Sequence, residues 1–412
     1  MLLNLKIYYQ YIIFLLFALL PVDMINGILI EKGINLPISI GQLFKLTVLI
    51  LLFVRLYFLP KTLDLIMILF GCFFLSSVVQ SVFTLDFTFL FGDFIKVSKY
   101  LTPFIAFLFF KKLVEEQDEF LMNKLFRWIS FSYWVLAFNI FIKLFHLGYS
   151  MYEGDIGTRG FFYAGNEVSA LLLILASILA FKYWVIENQK FKFLLFLFFN
   201  LFLGVLISSK TGILGIALVF LLIVSDLKKI NIKLKTIKMI LVSAIIIIPS
   251  VLYFTYKSIL KSPVMVRFEY FWEKLDFVTF IFSSRNIFAE KMFGFYDADF
   301  TVVQKAIGGG QFYYESKLGQ IVEIDILDIF FAYGYLGAII FCLFLALTII
   351  YSYFLKQNSV NEYARLTYIM SIMLFFVSSI AGHVFNSGMA GIFIGFLFSL
   401  MFYKKNEVQN TI

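Results

Sequence analysis

The chain has 412 residues, 62% of them hydrophobic and only 15% charged, with a formal net charge of +8. An average soluble domain is nearer half apolar and a quarter charged. The apolar excess runs the whole length of the chain instead of collecting in one core, which excludes a soluble globular protein. Stretches such as 46–53, 171–181 and 240–248 carry almost no polar group, and in hydrocarbon only a helix or a closed barrel satisfies the backbone. Barrel strands alternate polar and apolar residues and these runs do not, so the fold class is an all-α polytopic membrane protein.

The first span is placed at 8–22. Lys6 before a short apolar run mimics a signal peptide, but no small-x-small cleavage site follows and Pro21-Val22-Asp23 reads as a helix end. Further spans follow at 38–58, 62–83, 95–112, 127–147, 165–184, 191–208, 211–226 and 237–256, and then at 326–352, 363–381 and 385–403. That makes about twelve spanning helices in a single membrane domain over 1–412. Basic residues collect in alternate loops: Arg55 and Lys61, Lys111 to Arg127, Lys182 to Lys192, Lys228 to Lys238, Lys356 and Arg365, and Lys404 and Lys405. The intervening loops hold few. This positive-inside bias puts both termini in the cytoplasm. It also accounts for the net charge without invoking nucleic acid.

One connection differs from the rest. Residues 257–325, between the ninth and tenth spans, form a large outer loop of mixed polarity. It contains the aromatics Phe268, Tyr270, Phe271, Trp272, Tyr313 and Tyr314, and a run Gly308-Gly309-Gly310 that reads as flexible. Loops of this length are functional or disordered. This one has enough apolar sequence to fold on the membrane surface, with short helices expected at 264–275 and 284–293.

Ionisable residues at membrane depth are costly and mark function by default. The informative ones gather on the outer side: Arg159 in Arg159-Gly160-Phe161-Phe162, just before Asn166; Lys210 in Ser208-Ser209-Lys210-Thr211-Gly212; Arg267 and Arg285 in the long loop; Glu323, Asp325 and Asp328 at its end; and His383 between the last two spans. Each has a plainer structural role open to it. Arg159 can snorkel to headgroups, Lys210 can cap the seventh helix, and Arg267 can lie on a solvated helix face. Glu323 and Asp325 can stabilise a helix N-terminus, and His383 can be a satisfied interfacial histidine. Taken together, cations on three outer segments suit a diphosphate that must be held and must leave as an anion. A nearby carboxylate suits the deprotonation of a sugar hydroxyl.

Other chemistries lack their motifs. Gly308-Gly309-Gly310 is not followed by the Gly-Lys-Ser/Thr of a P-loop. Asp297-Ala298-Asp299 has the look of a metal–nucleotide motif, but the topology places it outside, away from nucleotide sugars. Cys72 and Cys342 sit inside apolar spans, and no Cys/His cluster suggests zinc.

Three of these blocks resemble the O-antigen polymerase and ligase family of bacterial envelope glycosyltransferases. Arg159-Gly160-Phe161-Phe162 with Asn166 is similar to the family's Arg-x-Gly-x-Phe…Asn entry to a central span. Ser208-Ser209-Lys210-Thr211-Gly212 resembles its Ser-x-Ser-Arg-Gly turn, with Lys210 where Arg is usual. Ser284-Arg285 resembles the loop arginine, and the loop then runs to Tyr333-Gly334-Tyr335-Leu336-Gly337. The resemblance covers roughly residues 155–345. Ligases of the group carry a His-Asn pair before a Gly-x-x-Gly; counted back from Gly334 and Gly337, the histidine position is Glu323 here and the Asn position Ile324. The resemblance therefore implies a polymerase.

That reading implies polymerisation of undecaprenyl-diphosphate-linked oligosaccharide repeat units into O-antigen, capsule or exopolysaccharide, on the outer face of the bacterial cytoplasmic membrane. Glu323, Asp325, Arg285 and Lys210 would be catalytic. Arg159, Asn166, Arg267 and His383 would bind substrate. No metal or other cofactor is required. The partners implied are membrane lipids, and a chain-length regulator and a flippase. The alternatives are a ligase-type transferase and a lipid-linked oligosaccharide flippase. A flippase is expected to show related halves and midplane charges, whereas here the polar residues gather at one face.

Overall fold

The computed structural model describes residues 2–225 and 275–404, apart from residues 35, 37, 153, 163, 164 and 358–360. The described chain is helical almost throughout. The first half contains α1 (Leu2–Glu31), α2 (Ile40–Tyr57), α3 (Pro60–Thr84), α4 (Thr88–Glu115), α5 (Glu119–Phe141), α6 (Gly165–Phe181), α7 (Lys190–Ile207) and α8 (Ile216–Val224). The second half contains four short helices, α9 (Phe277–Phe282), α10 (Arg285–Asp299), α11 (Val302–Ile307) and α12 (Gln311–Leu318). Then come α13 (Asp325–Gln357), α14 (Glu362–Ile380) and α15 (Ala390–Ser399). Eight helices among the described residues are long and apolar enough to cross a membrane. The span expected at 237–256 and the short helix expected at 264–275 lie outside the described residues.

Helix starts follow local chemistry. Ser39 caps α2, accepting from the Gln42 N–H while the Gln42 side chain accepts from the Ser39 N–H. Pro60 opens α3, where its missing N–H costs nothing. Asp118 and Asn361 cap α5 and α14. The first helix departs from expectation: Pro21 does not end it, and α1 continues to Glu31. Proline is tolerated in such a helix where neighbours hold it on both sides. Here Leu19 and Leu20 are buried before Pro21, and Asp23 after it pairs with Lys45 of α2 at 2.8 Å.

α6 is the centre of the bundle. Every residue from Val168 to Phe181 is buried, enclosed by α5, α7, α8, α14 and α15. A helix apolar on all sides belongs in such a position. α15 packs on α4 with almost no space between the backbones, since a Cβ on Gly395 would lie 2.6 Å from the Phe107 backbone nitrogen. Small residues permit this approach where apolar solvent supplies no hydrophobic drive. The Trp128 indole of α5 stacks between Phe110 and Phe393, tying α4, α5 and α15 together.

Two features depart from a purely helical reading. Residues Tyr149–Tyr152 (β1) and Ile156–Gly160 (β2) form an antiparallel hairpin between α5 and α6, turned through Gly154 and Asp155, both at positive φ. Second, Gly308-Gly309-Gly310 is not a flexible tract but a buried one. α13 breaks at Gly334 (φ 62°, ψ −164°), a conformation essentially restricted to glycine. The break frees the Ala332 carbonyl to accept from the Gly310 N–H at 2.8 Å.

The end of the long loop is therefore a docked element. Gln304 donates to Gln80 of α3 at 2.6 Å, and the Phe312 N–H donates to Asp93 of α4 at 2.6 Å. Lys96 pairs with Glu315. Tyr314, fully buried, donates to Asp328 of α13. These buried polar contacts fix α11 and α12 against the bundle and set the entry to α13. Asp297 and Asp299, the Asp-x-Asp pair, are engaged by Lys305 and Lys317 at 3.8 and 2.8 Å.

Candidate functional site

At one end of the bundle a cavity of about 690 Å³ opens between the β hairpin, the α7–α8 turn, the α9–α10 turn and the start of α13. Lys210, Arg285 and Glu323 line it together with the hydroxyls of Ser169, Ser208, Ser209 and Ser283. These charged residues come from three segments more than thirty residues apart.

Each charge is placed by local structure. α7 ends at Ser208, an αL cap, so the next residues turn sharply and present Lys210. Its ammonium reaches across the cavity to the Phe280 carbonyl and to the Ser283 hydroxyl, and lies 4.2 Å from the centre of the Phe280 ring. Ser283 and Ser284 are both left-handed, an abrupt reversal that brings Arg285, the first residue of α10, back over the cavity. The Arg285 guanidinium donates to Glu323 at 2.8 Å.

Glu323 is not part of α13. Its backbone is left-handed (φ 66°), so its relation to Asp325 is not set by helical spacing. Gly382 explains why: a Cβ there would sit 2.0 Å from the Glu323 carbonyl oxygen, so only glycine lets the α14–α15 turn touch this backbone. His383, also left-handed (φ 54°), then lies with Nε2 3.2 Å from the second Glu323 oxygen. Non-glycine residues in this region of φ/ψ space are costly and gather at functional sites. Ser284, Glu323 and His383 are three such residues around one carboxylate.

Glu323 thus bridges Arg285 and His383. Burial on its own would raise the Glu323 carboxyl, but the hydrogen bond and charge of His383, with the charge of Arg285, hold it down at about 2. Burial on its own would lower the His383 imidazole, yet Glu323, with smaller help from Asp325 and Glu167, raises it above its ordinary value.

Asp325 is a different kind of residue. It is fully buried, and its Oδ2 accepts from the N–H groups of Val384 and Phe385 at 2.9 Å each. It does not line the cavity. Its place is beneath the His383 turn, which it holds by capping the backbone. Arg159 lies beside the cavity and is not among its lining residues. Its guanidinium sits 5.1 Å from the ring centre of Tyr149 on the neighbouring strand, and its carbonyl accepts from Asn139 at 2.9 Å. Arg267 and the Asn166 side chain lie outside the described residues.

The sequence reading missed one participant. Glu167, in the first turn of α6, accepts from the Ser387 hydroxyl at 2.6 Å and the Met389 N–H at 3.2 Å. It fixes the far end of the turn that carries His383. An acid two residues past the Gly165 that opens a wholly apolar helix was the available signal. No protein-family model matches the chain, and neither does any curated protein.

Proposed function

We propose that the protein is a polysaccharide repeat-unit polymerase, a glycosyltransferase acting on polyprenyl-diphosphate-linked oligosaccharides at the outer face of a bacterial cytoplasmic membrane. In this reading the chain has twelve spans with both termini cytoplasmic, and the cavity faces outward. The observation that carries it is the convergence of Lys210, Arg285 and the His383-linked Glu323 on one 690 Å³ cavity. Two cations and one carboxylate with an imidazole partner suit glycosyl transfer from a lipid diphosphate.

In the reaction an acceptor hydroxyl attacks the anomeric carbon of the donor chain. The bond from that carbon to the diphosphate oxygen breaks, and the electron pair leaves with the diphosphate. Lys210 and Arg285 meet the charge that develops there. A carboxylate held at about 2 is a poor base by itself. Glu323 orients the hydroxyl, and the proton is held by the Glu323–His383 pair as a unit, resting on the imidazole once His383 has entered the step neutral. His383 acts through Glu323 and is a positioning and proton-holding residue.

A ligase-type transfer to a different acceptor is favoured by one specific observation. The position where ligases of the resembled family place histidine is Glu323 here, and His383 stands 3.2 Å from it. The imidazole missing from the chain position is restored in space. The two readings part on product. In cells carrying the genes for one repeat-unit polysaccharide, removal of the protein should leave single repeat units under the polymerase reading. Under the ligase reading it should leave long polymer retained on the lipid carrier. A gel of glycan length separates them, and normal glycan in the absence of the protein overturns both.

A further inference from the structure

We propose that the protein holds a second phosphate-bearing lipid in a separate cavity, built around Lys45 and Lys99, on the opposite side of the α6 N-terminus from the first. Its occupant as the second lipid-linked substrate rests on the transferase reading, because a reaction joining two lipid-linked chains must hold two of them at once.

The cavity measures about 950 Å³ and lies between α1, α2, α4 and the start of α15. Lys45 and Lys99 converge in it: a Cβ on Gly388 would lie 3.8 Å from Lys45 Cδ and 3.9 Å from Lys99 Cε. Two acids are present, and both are engaged. Asp23 is buried and paired with Lys45 at 2.8 Å. Glu167 already accepts from Ser387 and Met389. No hydrogen bond or ion pair among the described residues engages Lys99. Lys99 is therefore the cation left for a ligand, and Ser98 and Thr102 on the same helix also line the cavity.

The rest of the wall is apolar. Ile38, Leu43 and Phe94 line the cavity and are 45–48% exposed, so its flank continues onto the lipid-facing surface of the bundle. A water-soluble anion has no use for such a flank, whereas a lipid with a phosphate head matches both halves. Lys99, with Lys45 shared between Asp23 and the ligand, suits the more highly charged head of a diphosphate better than a single phosphodiester.

The two cavities share their walls. Glu167 faces the second while Ser169 and Ala170 face the first. Gly388 and Met389 face the second while Ala381 and Gly382 face the first. The His383 turn stands between them, held by Asp325 at one end and by Glu167 at the other. A substrate head in each cavity would place its sugars at the same turn, one from each side.

The test is native mass spectrometry of the full-length protein in detergent with undecaprenyl diphosphate as the probe. The wild type should bind two equivalents. Lys99→Met should weaken one of them about tenfold or more, since it removes a charge-assisted hydrogen bond, and Lys99→Arg should restore it. Lys210→Ala should weaken the other, and the equivalent that each variant retains reports that it has folded. Excess phosphatidylglycerol should not displace the Lys99-dependent equivalent, and inorganic diphosphate should compete only weakly for lack of a tail. A single equivalent that depends on Lys210 and ignores Lys99→Met would overturn the second site and leave the proposed function standing. Displacement by phosphatidylglycerol would make it an ordinary phospholipid site, and displacement by inorganic diphosphate a soluble-anion site; either overturns the proposal. No binding at all would remove the transferase reading with it.

Discussion

Arg285 and Glu323 are worth more as a pair than as separate charges, because each is partly withdrawn from water and each answers the other. Arg285→Ala leaves a half-buried carboxylate and should abolish polymer while the protein still accumulates in the membrane, measured by glycan gel and immunoblot together. Lys210→Ala should do the same. Lys210→Arg should be tolerated, since the charge is kept and the guanidinium can reach the same carbonyl. The two acids should separate cleanly. Glu323→Gln keeps the shape but loses the charge that holds His383, and should eliminate polymer. Asp325→Asn keeps an oxygen to accept from Val384 and Phe385, and should still make polymer at a stability cost of about 1 kcal/mol. Full-length polymer from Glu323→Gln would remove the carboxylate from the reaction.

The pH dependence follows from the same pair. The depressed Glu323 contributes stability that is present above its ordinary 4.5 and is lost as the pH falls towards about 2. The raised His383 contributes stability that is complete below its ordinary 6.5 and is lost as the pH rises through its elevated value. The turn is therefore held most firmly between about pH 4.5 and 6.5. Activity should run the other way, rising with pH as His383 becomes neutral, with an apparent midpoint above 6.5. A flat profile for the purified protein between pH 6 and 9 would exclude His383 from the proton path.

At the scale of elements, the site depends on two glycine-permitted close approaches. Gly334 breaks α13 so that the segment carrying Gly308 and Gly310 can pack into the gap, and a Cβ there would lie 2.5 Å from the Gly308 nitrogen. Gly334→Ala combines a glycine-only backbone with a backbone clash and should cost about 2 kcal/mol or more. It should reduce the protein in the membrane, read by its thermal midpoint in detergent. Gly382→Ala acts more locally, because it pushes the His383 turn off the Glu323 backbone. It should lower activity before it lowers protein level. Equal loss of both would make the turn a folding element only.

For the whole molecule, the proposed topology turns the cavity outward and can be checked directly. A reporter fused after Lys235 should be cytoplasmic, and one inserted between 295 and 310 should be external. Opposite labelling would invert the site and end the envelope-polymer reading. The docked segment from α10 to α12 shows why insertion there needs care. It is tied to α3, α4 and α13 through Gln80, Asp93, Lys96 and Asp328, so an exposed position such as Ala298 is a better point of insertion than the buried run 308–310.

The amino-acid sequence by itself determined that this chain lives in a membrane as helices, because twenty-residue apolar runs leave the backbone no other way to satisfy itself. It also marked Lys210, Arg285, Glu323 and His383 as charges out of place, since the cost of burying a charge is visible wherever the charge stands. From apolar runs it placed the starts of α2, α3, α6, α7, α13 and α14 to within about two residues, but those of α4 and α5 seven and eight residues late, because the first turns of those helices lie outside the apolar run. Tertiary structure alone decided which charges meet. Glu323 and Asp325 are two positions apart in sequence, yet one lines a cavity and the other caps a buried turn, because a left-handed residue outside the helix broke the spacing that helical periodicity assumes. Pro21 failed as a stop signal because Asp23–Lys45 and the packed bundle hold α1 beyond it. The glycine run at 308–310 failed as a flexible tract because a break in α13, at Gly334, offered it a carbonyl and a space. The two lysines of the second cavity are fifty-four positions apart and meet only over Gly388, a contact that no local pattern encodes.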